Sequence, residues 1–393
     1  MKYAFILGRN RELSIAELGS LLGEKLVIGK DQSVVFFDGV LPGKPQEFLN
    51  RLGGTVEILE VFKTGLAQTT VLEELAGFLK HQCQAHSGKC HFAVNLVPEG
   101  KQSQVLKFLL PRLKKLLRES GISANFMNKD FRNVSSVLAV KEKLTERGTN
   151  TSVIDEGEGK VALGYSVALQ DFEAYSKRDY GKPFRDAQVG MLPPKLAQIM
   201  VNLATTTKKS VTIFDPFCGT GTILMEAMLM GSVAIGSDLD DRLVKGAQKN
   251  IEWLQKIFQI PSTIASRISK VDAAKLNAAS CDAIVTEPYL GPPLSQIPHE
   301  SFLLRLKTEL ETLYLKFFKN LAGWLPQGTP IVFIFPYWKR GGSPPVRLTE
   351  TLVAKIESLG YSKTTFAPLQ TTSLFYERPD QIVGREIVRF IKT

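Results

Sequence analysis

The segment Asp215-Pro216-Phe217-Cys218-Gly219-Thr220-Gly221-Thr222 stands between a run with strand character and a run with helix character. It lacks the lysine of a phosphate-binding P-loop, and its glycines are not spaced as in the dinucleotide fingerprint. Two glycines at the C-terminal end of a strand let the backbone approach a ligand closely. Gly236-Ser237-Asp238 then ends a second strand, where a carboxylate accepts from ribose hydroxyls. Val271-Asp272-Ala273 offers a third acidic position, suited to an adenine amino group. A fourth strand runs into Thr286-Glu287-Pro288-Tyr289-Leu290-Gly291. One glycine pair says little. Four acidic sites at four successive strand ends point to a nucleoside-containing cofactor at the C-terminal edge of a sheet.

The elements that must hold these residues follow from hydrophobic patterning. From Lys195 onward, apolar strands at Val211–Phe214, Val233–Gly236, Asp282–Thr286 and Ile331–Phe335 alternate with helices near Thr222–Met230, Arg242–Phe258 and Glu300–Trp324. Continuous apolar strands separated by amphipathic helices predict a mostly parallel sheet covered on both faces. A helix over Leu348–Leu359 and late strands at Phe375–Glu377 and Glu386–Ile391 suggest an antiparallel edge. The first 62 residues read as β-α-β-β-α-β, a small ferredoxin-like α+β unit, with Ser14 as a helix cap. Residues 63–172 form a second mixed unit. It contains a helix near Leu72–Gln82, a strand at His91–Leu96 and strands near Thr151–Ile154 and Val161–Ala168. Residues 173–194 read as a linker rich in glycine and proline.

Charge divides the chain in the same way. Of 393 residues, 49 are Lys or Arg and 39 are Asp or Glu, a net +10. Residues 101–147 hold 11 basic against 4 acidic side chains, a net +7, and residues 181–393 hold 25 against 18, a further +7. The segments 1–100 and 148–180 contribute −1 and −3. Within the middle block, Gln102–Ser120 carries Val105, Leu106, Leu109, Leu110, Leu113, Leu116 and Leu117 at helical spacing. Lys107, Lys114, Lys115 and Arg118 fall on the other face, and Pro111 is expected to kink or shorten the helix. Either this is a solvated helix face or it contacts nucleic-acid phosphates. Phe108, Phe126 and Phe131 are candidate base-stacking rings, against the commoner role of core packing.

Four cysteines in this length are no disulfide framework and suggest a reducing cytoplasm. His81, Cys83, His86, Cys90 and His91 cluster without the spacing of a zinc site, so no metal is expected. No apolar run approaches the ~18 residues of a membrane span. Cys218 has no evident activating base and reads as a small loop residue, and Lys195 as an ordinary surface lysine.

The loop Asp215–Thr222 with Asp238 and the Pro288 loop resembles the class I S-adenosylmethionine-dependent methyltransferases. More narrowly, the chain is similar to tRNA guanine-N2 methyltransferases with an N-terminal THUMP domain. Tyr180–Asp186, Gly190–Lys195, Arg378–Asp380, Gly384–Val388 and Phe5–Asn10 with Gly53-Gly54 carry that likeness over nearly the whole chain. The resemblance implies a Rossmann-like catalytic domain over 195–393, preceded by the ferredoxin-like/THUMP module as the RNA-binding part. It implies that Asp215, Phe217, Cys218, Gly219, Thr220 and Gly221 surround the methionine part of the cofactor. Asp238 would hold the ribose, with Leu239 beside it in the cofactor site, Asp272 and Ala273 would contact the adenine, and Glu287, Pro288 and Tyr289 would receive the target base. A tRNA guanosine N2 amine would be the acceptor; whether a small activating subunit is needed stays open. The family's loop is Asp or Asn, then Pro-Pro, then an aromatic residue, whereas this chain has Glu287-Pro288-Tyr289-Leu290. Tyr289 or Phe184 then supplies the ring. A re-registered active site, a different target atom and an inactive binding protein are the readings of that change. DNA adenine-N6 or cytosine-N4 methylation and a non-catalytic RNA-binding role are the alternatives in function.

Overall fold

The computed structural model describes residues 2–84, 89–100, 102–186, 191–205, 211–276, 280–340, 343–378 and 381–393. It divides into two compact units, one of residues 1–15 with 24–172 and one of 16–23 with 173–393. His86, Gly190, Pro379 and Asp380, which entered the sequence reading, lie outside the described residues.

The chain begins β1 (Lys2–Leu7), α1 (Arg11–Leu22), β2 (Leu26–Ile28), β3 (Val34–Asp38), α2 (Pro45–Leu49) and β4 (Thr55–Ala67), the expected order, all in the first unit except α1 from Ala16 onward. Ser14 is not the cap of α1. It lies inside the helix, and its hydroxyl donates to the Asn10 and Gly54 carbonyls at 2.8 and 3.0 Å. The chain goes on through α3 (Val71–Gln84), β5 (Cys90–Val97), α4 (Gln102–Glu119), β6 (Ala124–Phe126), α5 (Ser136–Lys141), β7 (Gly148–Gly157) and β8 (Lys160–Leu169). All eight strands join one sheet in the order β2-β3-β1-β4-β8-β7-β5-β6. The division expected at residue 62 is therefore not a boundary: β4 runs through it and pairs with β8 as far as Ala67. Register shifts along β4 bend the long strand so that it can serve both halves of the sheet.

Two local departures have physical causes. α4 is continuous through Pro111. An interior proline costs ~3 kcal/mol, but Leu106, Leu109, Leu110, Leu113 and Leu117 are all buried, and each such side chain contributes roughly 1.5–3 kcal/mol. Val105, expected on that face, is instead exposed. Cys83, on the last turn of α3, forms a disulfide with Cys90 at the start of β5, with Cα atoms 5.4 Å apart. This pairing departs from the expectation that the cysteines form no disulfide framework. The helix-to-strand reversal brings these two together, which also removes both thiolates as metal ligands.

Beside its part of α1, the second unit holds α6 (Phe172–Tyr180) and α7 (Pro194–Ala204), so the first part of the supposed linker, 173–180, is helix. It continues through β9 (Thr212–Asp215), α8 (Thr222–Leu229), β10 (Val233–Asp238), α9 (Asp241–Phe258), β11 (Ser266–Lys270), β12 (Ala283–Thr286) and α10 (Glu300–Ala322). β13 (Pro330–Arg340), β14 (Ser343–Arg347), α11 (Thr349–Glu357), β15 (Tyr361–Thr364), β16 (Leu374–Tyr376) and β17 (Val383–Lys392) complete it. The sheet runs β11-β10-β9-β12-β13-β17-β15, with β14 on β13 and β16 on β17. The pairs among β11, β10, β9, β12 and β13 are parallel. β17 is antiparallel as expected, but it lies between β13 and β15 rather than at the edge. The core on one face is aromatic: Tyr314, Phe317 and Phe318 of α10 meet Phe333 and Phe335 of β13. This is a Rossmann-like sheet with its switch point between β9 and β12, where ligands bind outside the carboxyl ends of the strands.

Candidate active site

β9, β10 and β12 end at Asp215, Asp238 and Thr286, and Asp272 follows β11 by two residues. Because these strands are parallel neighbours, the four acidic positions, with Glu287 next after Thr286, share one edge of the sheet on both sides of the switch point.

The loop between β9 and α8 is held by backbone and carboxylate together. Gly219 and Gly221 adopt φ of 51° and 82°. A Cβ on Gly219 would meet nothing within 4 Å, so the backbone there faces open space. Asp238 accepts from the Gly219 N–H through Oδ2 at 2.9 Å and from the Asp240 N–H through Oδ1 at 3.0 Å. Each carboxylate oxygen keeps a further lone pair. Leu239 beside it is 67% exposed, an apolar side chain held out next to the carboxylate. Asp272 accepts from the Ala274 N–H at 2.9 Å, whereas Ala273 is buried in the core.

Asp215 is buried. It accepts from the Thr286 hydroxyl at 2.6 Å and from the Phe217 N–H at 3.2 Å. Burial, reinforced by the neighbouring charges of Asp238 and Glu287, pushes its carboxyl up to about 8. Phe217 turns its ring onto Phe317 of α10, 5.3 Å between centroids, so it serves the core as well as the loop. Thr220 is buried too, and its carbonyl accepts from Asn250 of α9 at 2.8 Å. Burial raises the Cys218 thiol well above its ordinary value, which suits a packing residue and not a nucleophile.

Across the switch point, Glu287 is ion-paired with Arg385 of β17 through Oε1 and Nε. Burial pushes the Glu287 carboxyl up, and the guanidinium opposes that rise. Pro288 is buried, while Tyr289 is 55% exposed. The Tyr289 carbonyl accepts from the buried Tyr314 hydroxyl at 2.6 Å, which pins the loop to α10. Phe184, the other candidate ring, sits on α9 instead: a Cβ on Gly246 would fall 2.1 Å from it. Asn250 pairs with both the N–H and the carbonyl of Phe184 at 2.9 Å, tying this segment to the Thr220 loop. Tyr289 is thus the ring carried by the acceptor loop itself.

Sequence reasoning missed Arg385, Thr286, Asn250 and Tyr314. Arg385 lies in the Gly384–Val388 stretch already singled out, and Thr286 directly precedes Glu287. The other two carry no local signal.

In the first unit, Lys107, Lys114, Lys115 and Arg118 all project from the exposed face of α4. Phe108 is exposed on the same helix with the Arg112 guanidinium 3.6 Å from its centroid, while Phe126 and Phe131 pack against the core. Lys195 is exposed. Among the described residues no group of three or more metal-binding side chains occurs, and no helix is long and apolar enough to cross a membrane.

A family model described as RMKL-like, methyltransferase domain, matches residues 183–339. A second, described as DNA methylase, matches residues 98–249, crossing the division between the units and stopping short of Glu287. Over 162 residues the chain is 34% identical to a tRNA (guanine(10)-N2)-dimethyltransferase of Methanothermobacter thermautotrophicus, 41% of this chain and 43% of that protein. It is 41% identical over 105 residues to the Methanocaldococcus jannaschii protein of the same name, 26% of this chain and 29% of that one. To a tRNA (guanine(10)-N(2))-methyltransferase of Saccharomyces cerevisiae it is 29% identical over 172 residues, 41% and 37% of the two chains. The chain spans less than half the length of these relatives.

Proposed function

We propose that the protein is an S-adenosylmethionine-dependent tRNA methyltransferase acting on the exocyclic N2 amine of a guanosine. The observation that carries this reading is the set of acidic strand ends around the switch point, with an acceptor loop, Glu287-Pro288-Tyr289, on its far side. The names of the relatives support the same chemistry.

The residues fit the cofactor. The open backbone at Gly219, with the Gly221 turn behind it, makes room for an amino-acid portion beside the buried carboxyl of Asp215. The free lone pairs of Asp238 suit a ribose diol, Leu239 offers an apolar surface for a purine, and the Asp272 turn suits its amino group. When bound, the cofactor supplies an electrophilic methyl with its own leaving group.

The chain's residues do the remaining work. A base amine is a weak nucleophile because its lone pair is delocalised into the ring. Glu287 Oε2 and the Pro288 carbonyl accept from the amine N–H bonds, localise that lone pair and stabilise positive charge as it develops, and the proton shed by the methylated nitrogen passes through Glu287 Oε2 to water. Oε2 makes no hydrogen bond among the described residues. Tyr289 stacks on a base swung out of its helix, and positioning at this distance supplies much of the rate. The first unit acts as the THUMP-like RNA-binding module, with α4 presenting Lys107, Lys114, Lys115 and Arg118 to phosphates.

The DNA-methylase match favours one second reading, transfer to a DNA base amine. Labelled cofactor offered with bulk tRNA and with duplex DNA separates the two. Label in tRNA supports the proposal, and label in DNA alone refutes it.

A further inference from the structure

The acceptor loop carries a glutamate whose carboxylate is tied to the sheet. Its Oε1 is held by Arg385, whose side chain is 6% exposed, against 13% for Glu287. The backbone of Arg385 is itself fixed by two ladders, opposite Pro336 of β13 and Tyr376 of β16. We propose that Arg385 is a positioning residue for the acceptor site: by fixing Oε1 it presents Oε2 of Glu287 to the incoming amine. This rests on the methyltransferase reading above and adds a residue to it.

A glutamate carboxylate turns on several rotatable bonds, and a misplacement of about an ångström costs about 10²-fold in rate. One anchored oxygen removes that freedom and leaves the other oxygen with a defined direction. Charge acts alongside geometry. Among the described residues, the titratable groups facing Glu287 are Arg385 from β17, Asp215 from β9 and the phenol of Tyr314 from α10, which burial keeps neutral. Arg385 is the cation among these, so without it the partly buried carboxyl takes up a proton at higher pH and accepts from an amine more weakly than the carboxylate does.

The test uses the full chain with bulk tRNA and labelled cofactor, measuring kcat against pH and cofactor affinity separately. R385M is expected to lower kcat about 10- to 100-fold, to move the acid limb of the kcat profile to higher pH, and to leave cofactor Kd within about threefold. R385K is expected to recover part of the rate with an acid limb between the two. Because Arg385 acts through Glu287, the double variant R385M/E287Q is expected to be no slower than E287Q. An unchanged kcat in R385M, losses that multiply in the double variant, or a loss confined to cofactor affinity would each overturn the inference. If R385M does not fold, R385K decides: a displaced acid limb supports the proposal, and a wild-type rate with an unmoved limb overturns it. Wild-type protein that labels no tRNA overturns the functional reading and this inference with it. An active wild type beside an unaffected R385M overturns this inference alone.

Discussion

Replacing Asp238 by alanine should separate cofactor binding from fold. The carboxylate accepts from two backbone N–H groups, of Gly219 at 2.9 Å and Asp240 at 3.0 Å, and in the proposed complex also from the ribose. A hydrogen bond to a charged group contributes about 1.5–3 kcal/mol. Losing the ribose contact should therefore raise the Kd for S-adenosylhomocysteine roughly 10- to 150-fold, at 1.4 kcal/mol per factor of ten. The two backbone bonds add a smaller stability cost of about 1–3 kcal/mol, because the freed N–H groups reach water at the site's open side. Isothermal titration calorimetry measures the first quantity and urea unfolding the second. Glu287→Gln serves as the control, with a Kd within about threefold of wild type. An Asp238→Ala protein that folds and binds the ligand within threefold of wild type would refute the assignment of Asp238, and with it the placement of the cofactor at the end of β10.

Three other perturbations have definite signs. Glu57 is buried among Asn150 and Ser166, and burial raises its carboxyl from 4.5 to about 7. It is protonated in the folded first unit and ionised in the unfolded chain, so stability is full below pH 4.5 and falls as pH rises to about 7. The interval corresponds to up to ~3 kcal/mol, and Glu57→Gln should flatten the pH dependence of that unit's unfolding. Asp215, raised to about 8, favours its protonated form in the free protein. A cationic sulfonium nearby favours its ionised form, so affinity for S-adenosylmethionine should rise with pH up to about 8, with release of a proton, and level off above it, and Asp215→Asn should abolish that slope in a calorimetric pH series. Replacing Lys114, Lys115 and Arg118 together with glutamine should weaken tRNA binding and lower the salt slope by about one to three in a filter-binding titration, while cofactor affinity holds. Unchanged tRNA affinity would make α4 a solvated face.

What the sequence showed and what it hid divide along physical lines. The alternation of β9, β10, β12 and β13 with α8, α9 and α10 was legible because a parallel sheet buried on both faces needs continuous apolar strands, whereas the edge strand β11, largely polar, gave no such run. The single sheet of the first unit was not legible. β4 is long, bulged and half polar beyond Phe62, so its second half gives no alternation to read. The Cys83–Cys90 disulfide depends on a helix-to-strand reversal that no spacing rule encodes. Arg385 lies 98 residues from its partner Glu287 and meets it only because β17 inserts beside β13. Phe184 reads as an available aromatic until Gly246 of α9 is seen to leave space for its ring. Local pattern identifies the elements, whereas the partners of a charged site are chosen by the sheet order.

The central claim is the atom that receives the methyl group. Bulk tRNA methylated in vitro by the purified protein, digested to nucleosides and resolved by mass and retention, tests it directly. Label is expected in N2-methylguanosine or N2,N2-dimethylguanosine. Label in N6-methyladenosine or N4-methylcytidine, or none in any nucleoside despite normal cofactor binding, would contradict it.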